Sequence, residues 1–120
     1  MKVERTPTEI KLHQRSRVFE IAFSDGRSFR LPYEYLRVYS PSAEVRGHGP
    51  GQEVLQAGKR LVEIRAVEPV GSYAVQPTFS DGHSTGIYSW DYLYELGERQ
   101  EELWEQYLDR LKQAGASREP

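Results

Sequence analysis

The chain has 120 residues, 38% of them hydrophobic and 28% charged, with a formal net charge of −2; that is room for one domain with a small core and a charged surface. It has no cysteine, which excludes disulfides, thiolate-held zinc, iron–sulfur clusters and thiol nucleophiles. No stretch approaches the roughly 18 apolar residues of a membrane span, and Met1-Lys2-Val3-Glu4-Arg5 has no apolar leader core, so a soluble cytoplasmic protein is expected.

Charge is unevenly spread. Residues 1–65 carry 12 Lys and Arg against 8 Asp and Glu, whereas residues 66–120 carry 4 against 10. Two solvated faces account for such a gradient; a basic face for an acidic partner is the alternative. No Lys/Arg run or aromatic-plus-basic motif accompanies it, so nucleic acid is not an expected partner.

Thr8 to His13 alternates, with Ile10 and Leu12 on one side, and Val18 to Phe23 follows as a second strand. Gln14 to Arg17 links them as a hairpin. Ser24-Asp25-Gly26-Arg27 is a turn in which Gly26 is free to take a positive φ. Ser28 to Leu31 is a short strand, and Pro32 to Val38 a short helix entered through proline. Tyr39 to Lys59, with six glycines and prolines, reads as a long loop, either functional or mobile. Leu61 to Val67 and Ser72 to Phe79 are strands, and Pro77 places the second at an edge or a bulge. After the turn Ser80-Asp81-Gly82-His83, Ser84 to Tyr88 is a short strand. Ser89 caps a helix that ends at Gly97.

Two features cut across this order. Phe23-Ser24-Asp25-Gly26-Arg27-Ser28 is echoed by Phe79-Ser80-Asp81-Gly82-His83-Ser84, and each copy leads to a Tyr-Leu helix, at Tyr35-Leu36 and Tyr92-Leu93. Two similar hairpin turns would explain this, as would two strand–turn–strand–helix units sharing a core. From Glu98 to Ala114, Leu103, Trp104, Tyr107, Leu108 and Leu111 share one helical face. That stripe is expected on its own domain, with docking on a partner or second copy as the alternative; Ala116 to Pro120 reads as frayed. The fold class is therefore α+β: a small antiparallel sheet of hairpins with short helices and a C-terminal amphipathic helix.

Chemical motifs are mostly absent. His13, His48 and His83 stand in no metal-binding spacing, and no glycine-rich phosphate loop occurs. Gly47-His48-Gly49-Pro50-Gly51 reads as a flexible loop. His83, beside Asp81-Gly82, is a turn histidine bonded to backbone, or else a remnant ligand or binding-surface residue.

Ser40-Pro41-Ser42-Ala43-Glu44-Val45-Arg46-Gly47-His48-Gly49, Gly71 to Val75, and Phe79 to Trp90 together resemble the stand-alone bacterial proteins of the γ-butyrobetaine hydroxylase N-terminal-like (DUF971) family, over residues 8–97. Family members also occur as the N-terminal domain of the hydroxylase and as an appendage on Mrp-type iron–sulfur carrier ATPases. In the hydroxylase this domain holds zinc through three Cys and one His, after a Leu-Arg pair. Here Leu36-Arg37 leads to Ser40 and Ser42, with Val45 near the third Cys position and His83 at the His position. The resemblance thus implies an ancestral zinc set reduced to one ligand, with no cofactor.

It further implies a family domain at 1–97 followed by a C-terminal helix and tail at 98–120. The implied role is a non-catalytic protein-interaction or accessory module, linked to iron–sulfur protein assembly, with an unidentified protein partner; the oligomeric state is left open, with a monomer favoured. The alternative is a small-molecule or metal-binding domain using loop 40–51 and His83. Candidate binding residues are Arg46, His48, Asp81, His83, Tyr88 and Trp90.

Overall fold

A computed structural model describes residues 5–47, 49 and 51–120. The alternating segments form two antiparallel meanders. β1 (Pro7–His13), β2 (Val18–Phe23) and β3 (Ser28–Pro32) make one sheet in that order; β4 (Ile64–Val70), β5 (Ala74–Phe79) and β6 (Tyr88–Ser89) make the other. Helix α1 (Tyr33–Val38) follows the first sheet and α3 (Trp90–Glu98) the second, each followed by a further helix, α2 (Ala43–Arg46) and α4 (Gln100–Gln113).

The two halves repeat one another in detail. β1 and β4 each span 7 residues, and each slips register near its start, between Pro7 and Glu9 and between Ile64 and Ala66. Both Asp-Gly turns have the same wiring. The amide of Phe23 donates to the Arg27 carbonyl at 2.8 Å, as that of Phe79 does to His83 at 2.9 Å. Gly26 and Gly82 take φ of 90° and 92°, a region open to glycine, and each Asp accepts from the amide two residues on.

Contacts between the halves are reciprocal, as in a two-fold interface. The Tyr35 hydroxyl of α1 donates to the Leu96 carbonyl at the end of α3, and the Tyr92 hydroxyl of α3 donates to the Tyr39 carbonyl at the end of α1. Tyr94 of α3 reaches Asp25 in the first turn, and Arg37 of α1 reaches Asp81 in the second. The repeated turn motif therefore marks two units with one core, in which Phe19, Ile21 and Leu31 meet Ile64, Val75, Phe79 and Leu93.

Several elements depart from the sequence reading. α3 ends at Glu98, one residue beyond the expected stop at Gly97, and a Cβ on Gly97 would collide with the Phe29 ring. Its role is close packing. The matching pair in the other half has the sizes reversed: a Cβ on Gly86 would collide with Ser40 Oγ. Residues 84–87 form no strand, and β6 is confined to Tyr88–Ser89. β5 is consequently the middle strand, yet Pro77 sits where β6 no longer pairs, so its missing N–H disrupts no ladder on that side. The expected loop after Tyr39 contains α2, started by Ser42, whose side chain accepts from the Glu44 amide.

The tail is docked. Tyr107 and Leu111 of α4 pack with Val38, and Leu103 joins the main core. Beyond it, Arg118 makes two hydrogen bonds, at 2.7 and 2.8 Å, to the buried carboxylate of Glu34. The amides of Gly58 and Arg60 donate to the carbonyls of Ser117 and Arg118. The reading of 116–120 as frayed is thereby corrected. Burial of the α4 stripe on its own chain agrees with expectation.

Candidate functional site

The loop after α1 and the second Asp-Gly turn meet, joining Ser40, Ser42 and Glu44 to His83 and Thr85. Ser40 Oγ lies 2.8 Å from His83 Nε2, and His83 Nδ1 lies 3.1 Å from Glu44 Oε2. Ser42 Oγ is 2.6 Å from Thr85 Oγ1, and Val45, in α2, is buried. These residues do not fit zinc. Both imidazole nitrogens are engaged by protein oxygens, the hydroxyls are neutral and poor zinc donors, and Val45 offers no donor atom. Among the described residues no group of three His, Cys, Asp or Glu is placed to hold a metal. A hydrogen-bonded cross-link spans these positions.

The sequence hydroxyl–imidazole–carboxylate is the one serine hydrolases use, but its surroundings differ. Ser40 is 1% exposed, its Oγ accepts from the Ser42 amide, and it faces the Gly86 backbone. No substrate carbonyl can approach that oxygen as the chain is packed. Ser40 acts as a hydrogen-bonded wedge.

Beneath it lies an ionic knot. Asp81 Oδ2 accepts from Arg37 Nε at 2.9 Å and from Lys59 Nζ at 2.6 Å. Burial alone would raise the Asp81 carboxyl, but hydrogen bonds from Lys59, the His83 amide and Arg37 hold it down at about 2. Burial, and next the Arg37 charge, push the His83 imidazole below its usual value against the pull of Glu44 and Asp81. The ring is therefore neutral near pH 7 and works as a hydrogen-bonding spacer.

An accessible feature beside this network is a cleft of about 520 Å³ between the α1–α2 segment, the 53–56 loop and α4. Val38, Val45, Val54 and Leu55 supply apolar walls, with Tyr39, Tyr92 and Tyr107. The three phenols donate to backbone carbonyls, at Leu103, Tyr39 and Gln56 respectively, so they present ring surface. Arg46 lies 5.0 Å over the Tyr92 ring. Arg110 lies near Tyr39, where its charge partly offsets the upward push of burial on that hydroxyl. Among the described residues, Glu53 is the one carboxylate on the lining.

Residues 10–94 match the family described as γ-butyrobetaine hydroxylase-like, N-terminal. The chain belongs to that family. Two solved relatives, both determined by NMR in solution, are similar over nearly the whole chain. One is 48% identical over 98% of this chain and 93% of its own, with a TM-score of 0.85. The other is 52% identical over 100% and 92%, with a TM-score of 0.84. A crystal structure of a DUF971-family protein of unknown function from Acidithiobacillus ferrooxidans is 43% identical over 77% of this chain and 92% of its own, at a TM-score of 0.65. No curated protein matches. The family identity confirms the resemblance read from the motifs, and the first two alignments run through the C-terminal helix.

The six candidate binding residues do not assemble into one site. Arg46 lines the cleft. Asp81 and His83 belong to the buried network beside it. Tyr88 is fully buried, with its hydroxyl donating to the Leu36 carbonyl, so it is a core residue and not a ligand contact. Trp90 lies in a separate groove lined by β1 and β4, its indole N–H on the Ser72 carbonyl. His48 lies outside the described residues. Sequence reasoning missed Glu44, Lys59 and Arg110. Each stands in an ordinary surface or helix context, and no local signal marks it. The Leu36-Arg37 pair is legible in sequence, but the partner of Arg37, Asp81, is visible only in three dimensions.

Proposed function

We propose that the protein is a non-catalytic interaction module whose recognition surface is the cleft between α1–α2 and α4. The observation that carries this reading is the division of polar groups. Ser40, Ser42, His83 and Asp81 are all engaged within the fold, whereas Arg46 and Arg110 at the cleft take part in no ion pair among the described residues. Concave apolar surface with a few convergent polar groups is the usual form of a binding site. An accessory role needs such a surface and no reactive atom. Where the partner is an iron–sulfur protein, cluster ligation rests with the partner, because this chain has no thiol.

Val54 is 52% exposed at the cleft, so Val54→Arg blocks the surface without disturbing the core. Immobilised wild type and Ser40→Ala should retain the same partner from native lysate, and Val54→Arg and Arg46→Ala should lose it, with all four chains folded by circular dichroism. Identical capture by all four, or Ser40-dependent hydrolysis of an activated ester, would defeat the proposal.

A further inference from the structure

The cleft carries a charge pattern that narrows what it binds. Its walls are aliphatic and aromatic, and all three tyrosine hydroxyls are already committed to backbone carbonyls. Among the described residues, two guanidiniums, on Arg46 and Arg110, and one carboxylate, on Glu53, line it, and Arg46 also borders an adjoining groove with Asp91, Glu95 and Glu98. Neither guanidinium takes part in an ion pair among the described residues, so both stand as available donors beside apolar surface. The complementary occupant is apolar and carries a single negative charge at one end.

Resting on the reading of the cleft as a protein-recognition surface, we infer that it captures the C-terminus of a partner polypeptide, with the terminal α-carboxylate between Arg46 and Arg110 and the last apolar side chains against Val38, Val45 and Leu55. A chain terminus places its charge on the same residue as an apolar side chain, which is the pairing the lining offers. An internal Asp or Glu instead carries its charge on a polar side chain and requires the chain to continue out at both ends. Guanidinium is suited to this role because its planar fork meets a carboxylate through two hydrogen bonds, and capture of a terminal carboxylate is a recurrent mode of peptide recognition. Val54, exposed at the rim, extends the apolar surface for residues preceding the terminus.

The test uses the full-length chain labelled with nitrogen-15 and a pool of acetylated tetrapeptides with Ala, Val, Leu, Ile or Phe at the last three positions. The pool is made once as free acids and once as C-terminal amides. Free acids should shift the amides of Val45, Val54 and Leu55 saturably, and the amidated pool should bind about tenfold more weakly, the loss expected for one charge-assisted hydrogen bond. Arg46→Ala and Arg110→Ala should each weaken the free acids and leave the amides unchanged. Equal binding of the two pools at these residues overturns the inference while leaving the cleft as the interaction surface. So does equally tight binding of an amidated pool with an internal Asp, or of hexanoate, which would reassign the site to acidic segments or to small organic acids. Absence of saturable shifts with any pool also overturns it, and the capture experiment with Val54→Arg then decides separately whether the cleft binds protein at all.

Discussion

Arg118→Ala tests whether the last residues of the chain are structural. Arg118 and Glu34 are joined by two short hydrogen bonds, and the Glu34 side chain is only 6% exposed while that of Arg118 is 39% exposed. Removing one member of a buried pair costs about 3–5 kcal/mol, because the other charge stays buried without a partner. The open side of Arg118 lets water screen part of that, so about 2–3 kcal/mol is the working expectation. Arg118 also lies 5.2 Å over the Trp104 ring, a contact worth up to about 1 kcal/mol at an exposed site. On the scaling for domains of this size, the melting temperature should fall by about 10 °C. Glu34→Gln alone should cost less than Arg118→Ala, and the double variant should recover part of the loss, since a neutral amide does not need a cation. Thermal melts of the four chains give the coupling. Hydrogen exchange at the Gly58 and Arg60 amides, which donate to Ser117 and Arg118, reports whether the tail has come away. A melting temperature within about 1 °C of wild type, with exchange unchanged, would show that the tail contributes nothing and that the reasoning is wrong.

Gly97→Ala should destabilise by about 1–3 kcal/mol in urea melts, because the added methyl meets the Phe29 ring, and Phe29→Leu in the same chain should recover part of it. Stability should also fall in two steps as pH drops. His83 has a depressed value, so the unfolded chain binds its proton first and stability declines below the ordinary value of 6.5. Asp81 stabilises fully above its ordinary value of 3.8 and loses that contribution as pH falls towards about 2. His83→Gln should remove the upper step and Asp81→Asn the lower, measured as urea midpoints against pH. Finally, zinc should leave the melting temperature of wild type unchanged and raise that of a Ser40→Cys, Ser42→Cys, Val45→Cys chain, whose thiolates complete a set with His83. Zinc-dependent stabilisation of wild type would sink the account of a network spanning those positions.

Local chemistry made much of this protein legible from sequence. Alternation in Val18–Phe23 specified a half-buried strand, Asp-Gly specified both tight turns through an accepting carboxylate and a positive φ, and Ser89 specified a helix start. The family was legible too, since its motifs are contiguous. What a residue packs against was not. Gly97 has the local signature of a helix stop and lies one residue before the end of α3, and only the Phe29 ring against it shows that its missing Cβ serves close packing. Ser117 to Glu119 has the composition of a loose end, and only Glu34, far away in sequence, converts Arg118 into an anchor. The repeated motif left open whether there were two units or two similar turns; the reciprocal Tyr35–Leu96 and Tyr92–Tyr39 bonds between helices decided it. The cleft is the clearest case. Its two arginines come from α2 and α4, and each reads locally as a basic residue in a helix's last turn. Their convergence on one apolar surface depends on long-range packing, which residue spacing along the chain does not encode.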